Sequence, residues 1–91
     1  QSSEFLILLV DDRPENLLSL EEILTKPGRR FLKANSGNEA LRTVLKNEHI
    51  GLILLDVQMP DMDGFEVARL LKSNTKSRDI AIIFVTAISK D

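Results

Sequence analysis

Phe5-Leu6-Ile7-Leu8-Leu9-Val10-Asp11-Asp12 is six apolar residues in a row that stop at two carboxylates. Gly51-Leu52-Ile53-Leu54-Leu55-Asp56 repeats the pattern with a single carboxylate at its end. A short apolar run without polar alternation reads as a strand buried on both faces. Ile80-Ala81-Ile82-Ile83-Phe84-Val85 is a third such run, followed by Thr86. Arg30 to Ala34 is shorter and mixed, which predicts a strand nearer a sheet edge.

Between the strands the apolar period changes to that of helices. Pro14 is suited to a first helical turn, with Asp12 near the N-cap, and Leu17, Leu20, Ile23 and Leu24 recur at helical spacing until Pro27-Gly28. Ser36 with Glu39 has the spacing of a capping box before a helix with Ala40, Leu41, Val44 and Leu45 on its apolar face. Asp63 with Glu66 repeats that spacing before a helix expected to bury Phe65, Ala68 and Leu71. Ser73 to Asp79 is a polar connection. The order β-α-β-α-β-α-β implies a parallel sheet with right-handed crossovers, an α/β fold. Ligands of such sheets sit beyond the carboxyl ends of the strands, where strand order reverses.

Composition narrows the chemistry. The chain has 91 residues, the length of one domain, and a net charge of -2. That balance argues against a nucleic-acid surface. There is no Cys and only one His, so thiolate metal sites, disulfides and multi-His zinc sites are excluded. The apolar runs fall far short of the ~18 residues that span a bilayer, and no signal-peptide layout is present. The expectation is a cytoplasmic domain without direct membrane or nucleic-acid contact.

If the two acid-tipped strands are neighbours, their axes lie ~4.8 Å apart and Asp11, Asp12 and Asp56 converge. Two such charges at 4 Å repel by roughly 4 kcal/mol at an effective dielectric of 20. An all-oxygen cluster of this kind suits a hard cation such as Mg²⁺, which accepts one or two carboxylates together with phosphate oxygens. A carboxylate can also serve as a covalent nucleophile, and Thr86 offers a hydroxyl donor at the end of another strand. The bland alternative, a set of helix caps, accounts for one strand-end Asp but not for three acids and a Thr that each follow directly on a strong strand.

Leu9-Val10-Asp11-Asp12-Arg13-Pro14-Glu15-Asn16, Leu54-Leu55-Asp56-Val57-Gln58-Met59-Pro60-Asp61-Met62-Asp63-Gly64 and Val85-Thr86-Ala87 closely resemble the receiver domain of two-component response regulators. The resemblance implies a CheY-like, flavodoxin-like fold with strand order 2-1-3-4-5. It makes Asp56 the phosphoacceptor, Asp12 a direct Mg²⁺ ligand, Asp11 a ligand acting through water, and the Gln58 backbone carbonyl a further ligand. Thr86 becomes the switch hydroxyl, and Ala87 keeps the pocket small-walled. Met59-Pro60 shapes the loop after the acceptor, and Gly64 begins the third helix. The implied role is phosphorelay signalling, in which a sensor histidine kinase or histidine phosphotransfer protein supplies the phosphoryl group. Such a chain is a phosphoacceptor with self-catalysed transfer and not a turnover enzyme. The alternative within the family is a degenerate or truncated receiver that serves only as an interaction or dimerisation module.

Residues 1–91 hold four expected strands and three helices, against five of each in the family. The chain is therefore expected to be the N-terminal portion of a receiver, without the last helix-strand-helix. Lys90 lies too soon after Thr86 to be the lysine that ends the family's fifth strand. If the polypeptide ends at Asp91, the strand 80–85 is an exposed apolar edge and homo-oligomerisation or strand exchange through it is expected; the alternative is a remainder beyond Asp91 that is not in this sequence. Other chemistries fit less well. A haloacid-dehalogenase-like phosphatase would want an Asp where Gln58 stands. An EF-hand loop built around Gly64 would begin at Met59 and end at Leu70, neither of them a suitable ligand. His49 reads as a solvated loop residue, Arg29-Arg30 as a charged turn, Met59 and Met62 as loop packing, and the four Phe residues as core.

Overall fold

A computed structural model describes residues 4–86. The elements run β1 (Phe5–Val10), α1 (Pro14–Leu24), β2 (Arg29–Ala34), α2 (Gly37–Lys46), β3 (Ile50–Asp56), α3 (Gly64–Lys72) and β4 (Ala81–Val85). All strand pairs are parallel, and the sheet order is β2-β1-β3-β4. The two unbroken apolar runs, β1 and β3, are the central pair. Each needs both faces covered, and each receives that cover.

Alternation along the strands divides the core in two. Leu8, Val10, Ile53 and Leu55 point to one face, where Ala40 and Val44 of α2 and Val67 and Leu71 of α3 close over them. Ile7, Leu9 and Leu54 point to the other face, against Leu17 of α1. Connections on both sides of the sheet carry the chain from β1 outward to β2, and then back past β1 to β3. Strand order therefore reverses between β1 and β3. That is the place where an open parallel sheet leaves a crevice at its carboxyl edge.

The helix ends follow their caps, with two departures from expectation. Ser36 Oγ accepts from the Glu39 backbone N–H at 3.0 Å, but the Glu39 carboxylate turns to the Asn35 N–H at 2.7 Å, so the capping box is not reciprocal. Asp63 Oδ1 accepts from the Glu66 N–H at 2.9 Å and caps α3 as expected. For α1 the N-cap is Arg13 and not Asp12, and Arg13 makes no side-chain cap bond. Asp11 reaches forward instead, accepting from the Arg13 N–H at 2.9 Å. Helix α1 ends at Leu24, before Pro27, and Gly28 supplies the left-handed turn (φ +86°) that starts β2. Arg29 and Arg30 lie in β2 and are not a turn.

Several apolar side chains are more exposed than their spacing suggests. Ile23 on α1 is 73% exposed, and Leu45 on α2 and Phe65 on α3 also face outward. Phe5 and Phe84 are exposed as well, so of the four Phe residues only Phe31, partly buried against the Ile7, Leu9, Leu17 and Leu54 cluster, joins the core. Phe65 and Phe84 instead lean on each other, with ring centroids 4.9 Å apart. Met59 does pack into the core, and His49 is exposed as expected.

The outer strands differ in chemistry. The β2 edge carries Arg29, Arg30 and Lys33, charges that discourage pairing with another chain. Strand β4 begins at Ala81 rather than Ile80 and carries no charge, and its Ile83 and Phe84 are exposed. No helix among the described residues is long and apolar enough to cross a membrane. Ala87 and Lys90, both singled out in the sequence, lie outside the described residues.

Candidate functional site: an acidic crevice at the strand ends

Register brings the acids together. Val10 of β1 pairs with Leu55 of β3, so the next residues, Asp11 and Asp56, leave the sheet side by side. Carboxylate oxygens of Asp11, Asp12 and Asp56 all lie within 4.8 Å of one another. Asp11 and Asp56 are each 5% exposed, while Asp12 is more open to solvent.

Two of these carboxylates are held by the chain around them. Asp11 Oδ1 accepts from the Arg13 N–H, and the Asn16 side-chain amide stands 3.3 Å from Oδ1 and 3.2 Å from Oδ2. Asp56 Oδ1 accepts from the Gln58 N–H at 3.2 Å. Burial is the main influence on Asp56 and pushes its carboxyl above the ordinary value of 3.8. The Gln58 N–H opposes that rise, the charges of Asp11 and Asp12 add to it, and the Val57 N–H opposes it more weakly. A buried anion with two like charges beside it is a site that gains from a cation.

The loop from Val57 to Asp63 folds back over the end of β3. Gly64 N–H donates to the Val57 carbonyl at 2.9 Å. A β-carbon on Gly64 would sit 2.3 Å from the Asp56 carbonyl oxygen and 2.9 Å from Val57 Cα, so no side chain can be accommodated there without moving backbone. Met59 is buried among α2 and α3 core residues and anchors the middle of the loop. The other two acids of the loop stay out of the cluster: Asp63 caps α3, and Asp61 faces solvent.

Thr86 comes from the neighbouring strand. Asp56 pairs with Val85, and the Val57 N–H donates to the Val85 carbonyl at 3.2 Å. Thr86, exposed, thus leaves β4 at the same edge of the sheet as Asp56. Of the residues singled out in the sequence, Asp11, Asp12 and Asp56 converge, Gln58 touches Asp56 through its backbone, and Thr86 stands at the adjoining strand end. Asn16 was not singled out for a role of its own. It lies five residues after Asp11, in the first turn of the next helix, a spacing that points a side chain back at the strand end only if α1 packs closely on β1.

An oxygen-only donor set with two buried carboxylates fits Mg²⁺. Asp11, Asp12 and Asp56 are the side chains that would hold it.

The model of the response regulator receiver domain family matches residues 7–91. Over 80 residues the chain is 34% identical to Protein PilH of Pseudomonas aeruginosa, an overlap of 88% of this chain and 65% of that protein. It is 32% identical to the polar-differentiation response regulator DivK of Brucella ovis over 83 residues, 91% of this chain and 67% of DivK. A probable cyclic di-GMP phosphodiesterase of Vibrio cholerae is 39% identical over 87 residues, which is 96% of this chain but only 19% of that larger protein. The chain thus spans at most about two thirds of these relatives. Among solved structures, the N-terminal domain of a response regulator receiver protein from Methanoculleus marisnigri superposes with a TM-score of 0.85 at 33% identity, covering 96% of this chain and 70% of that one. A signal receiver domain of a histidine kinase from Syntrophus aciditrophicus gives 0.81 at 36% identity, covering 94% and 64%. The reversed strand order, the acids gathered at the reversal and the match over nearly the whole length lead to one assignment: this chain belongs to the response regulator receiver domain family.

Proposed function

We propose that the chain is a Mg²⁺-dependent phosphoacceptor, and that Asp56 takes a phosphoryl group from the phosphohistidine of a sensor histidine kinase or a histidine phosphotransfer protein. The observation that carries this reading is the convergence of Asp11, Asp12 and Asp56 within 4.8 Å at the β1/β3 reversal, with Asp56 buried at its floor.

Bound Mg²⁺ supplies positive charge that neutralises the phosphoryl oxygens. Asp11, Asp12, Asp56 and the Gln58 backbone carbonyl would hold the ion. The Gln58 N–H fixes the Asp56 carboxylate through Oδ1, which leaves Oδ2 as the attacking oxygen. Oδ2 bonds to phosphorus as the bond from phosphorus to the donor nitrogen breaks, and that nitrogen keeps the electron pair. Positioning and charge neutralisation do most of this work. The Thr86 hydroxyl donates to a phosphoryl oxygen and registers the new charge on Asp56. The chain acts as partner and substrate in one transfer and releases the group by hydrolysis, so it is not a turnover enzyme.

A cytoplasmic location suits that partner. The uncharged β4 edge, with Ile83 and Phe84 exposed, suits self-association of the 91-residue chain through residues 80–85.

Titration with Mg²⁺, alone and with beryllofluoride as a phosphoryl mimic, tests the reading. Amide NMR shifts should move at Asp11, Asp12, Asp56 and Gln58 with Mg²⁺, and at Thr86 once beryllofluoride is added. No response to either would leave a module that works by protein contact alone.

A further inference from the structure

Asp11 is the most firmly held carboxylate of the crevice. The Arg13 N–H donates to its Oδ1 at 2.9 Å, and the Asn16 amide nitrogen lies within 3.3 Å of both its oxygens. Asn16 is itself fixed. Its backbone N–H donates to the Arg13 carbonyl at 3.0 Å, and its neighbour Leu17 is buried against Ile7, Leu9 and Leu54. The packing of α1 on the sheet therefore sets where the amide points.

The chemistry of that amide suits the place. It donates to an anion crowded by two others, but carries no charge of its own. A Lys or Arg at the same point would satisfy Asp11 equally well and would also cancel the negative charge that attracts a cation. A neutral donor orients the ligand and leaves the field of the cluster intact. Outer contacts of this kind commonly change metal affinity by about 10–100-fold when removed.

We infer that Asn16 is a positioning residue for the divalent-cation site, holding Asp11 in the orientation from which it joins Asp12 and Asp56. This rests on the reading of the acidic crevice as a Mg²⁺ site.

The test is a calorimetric titration of Mg²⁺ into the wild-type chain, Asn16→Ala and Leu20→Ala. Leu20 packs against the same core as Leu17 and makes none of the hydrogen bonds to Asp11, so its truncation is the control for loosened α1 packing with the Asn16 amide kept. Asn16→Ala should weaken Mg²⁺ binding about tenfold. Leu20→Ala should leave it within about twofold of wild type. Wild-type affinity in Asn16→Ala, or an equal loss in Leu20→Ala, overturns the inference while the Mg²⁺ site stands. Absence of Mg²⁺ binding in the wild-type chain overturns both. A second measurement needs no variant. In the wild-type protein the Asn16 side-chain amide signal should shift with the same Mg²⁺ midpoint as the Asp11 backbone amide, while those of Asn35, Asn38, Asn47 and Asn74 stay in place. A stationary Asn16 signal contradicts the assignment.

Discussion

Asp56→Asn should make the metal-free protein more stable at neutral pH, although it deletes the proposed acceptor. The carboxylate is 5% exposed and lies within 4.8 Å of two others. One pair of charges at that distance repels by about 3.5 kcal/mol at an effective dielectric of 20 and about 0.9 kcal/mol in water. The crevice lies between those limits, and the bonds from Gln58, Arg13 and Asn16 offset part of the repulsion. Asn keeps an oxygen that can accept from the Gln58 N–H. A net gain of about 2 kcal/mol follows, or about 8–16 °C in the midpoint of a domain this small. The pH dependence has a definite sign. The folded-state pKa of Asp56 is raised above 3.8. Between 3.8 and that raised value the folded chain keeps a proton that the unfolded chain has released. Wild-type stability therefore falls as pH rises through this window. The advantage of Asp56→Asn should be absent below the window and fully developed above it. Thermal melts in chelator from acid to neutral pH measure both features. A variant no more stable than wild type at neutral pH, or equally advantaged below pH 3.8, would refute the picture of a repulsive, buried cluster.

Four further substitutions test the frame that holds the crevice. Gly64→Ala should cost more than about 2 kcal/mol in urea denaturation, because the new methyl meets the Asp56 carbonyl at 2.3 Å, outweighing the helical preference of about 1 kcal/mol for Ala. Ser36→Ala and Asp63→Ala should each cost about 1 kcal/mol in the same assay through loss of a helix cap, and an unchanged urea midpoint in either would contradict that cap. Leu8→Ala, in a fully buried position of the central strand, should cost about 2–5 kcal/mol by chemical denaturation, and a loss under 1 kcal/mol would show that β1 is not central.

The central strands were legible because their chemistry is one-dimensional. Phe5–Val10 and Ile50–Asp56 contain no polar side chain before their terminal acids, and only a strand covered on both faces tolerates that. The acids were legible because they interrupt those runs at the same end. Burial on the helices was harder to read. Helical spacing marks Ile23, Leu45 and Phe65 as apolar positions, but the width of the stripe each helix can bury depends on its distance and angle to the sheet. Only Leu17 is fully covered on α1, whereas Val67 and Leu71 of α3 share a face with α2. Asn16 was hidden for the same reason. Its contact with Asp11 crosses from a helix to a strand end, and depends on Leu17 seating α1 against β1. Glu39 matched the capping-box spacing, but its length lets it reach the Asn35 N–H instead of closing the box.

The most direct test of the central claim is to treat the protein with acetyl phosphate and Mg²⁺, then record its intact mass and map the modified residue after borohydride trapping. The account predicts the mass of one added phosphoryl group, located on Asp56, lost in chelator and absent from Asp56→Asn. Labelling of Asp56→Asn to the wild-type extent, or a wild-type protein that stays unlabelled with Mg²⁺ present, would contradict it.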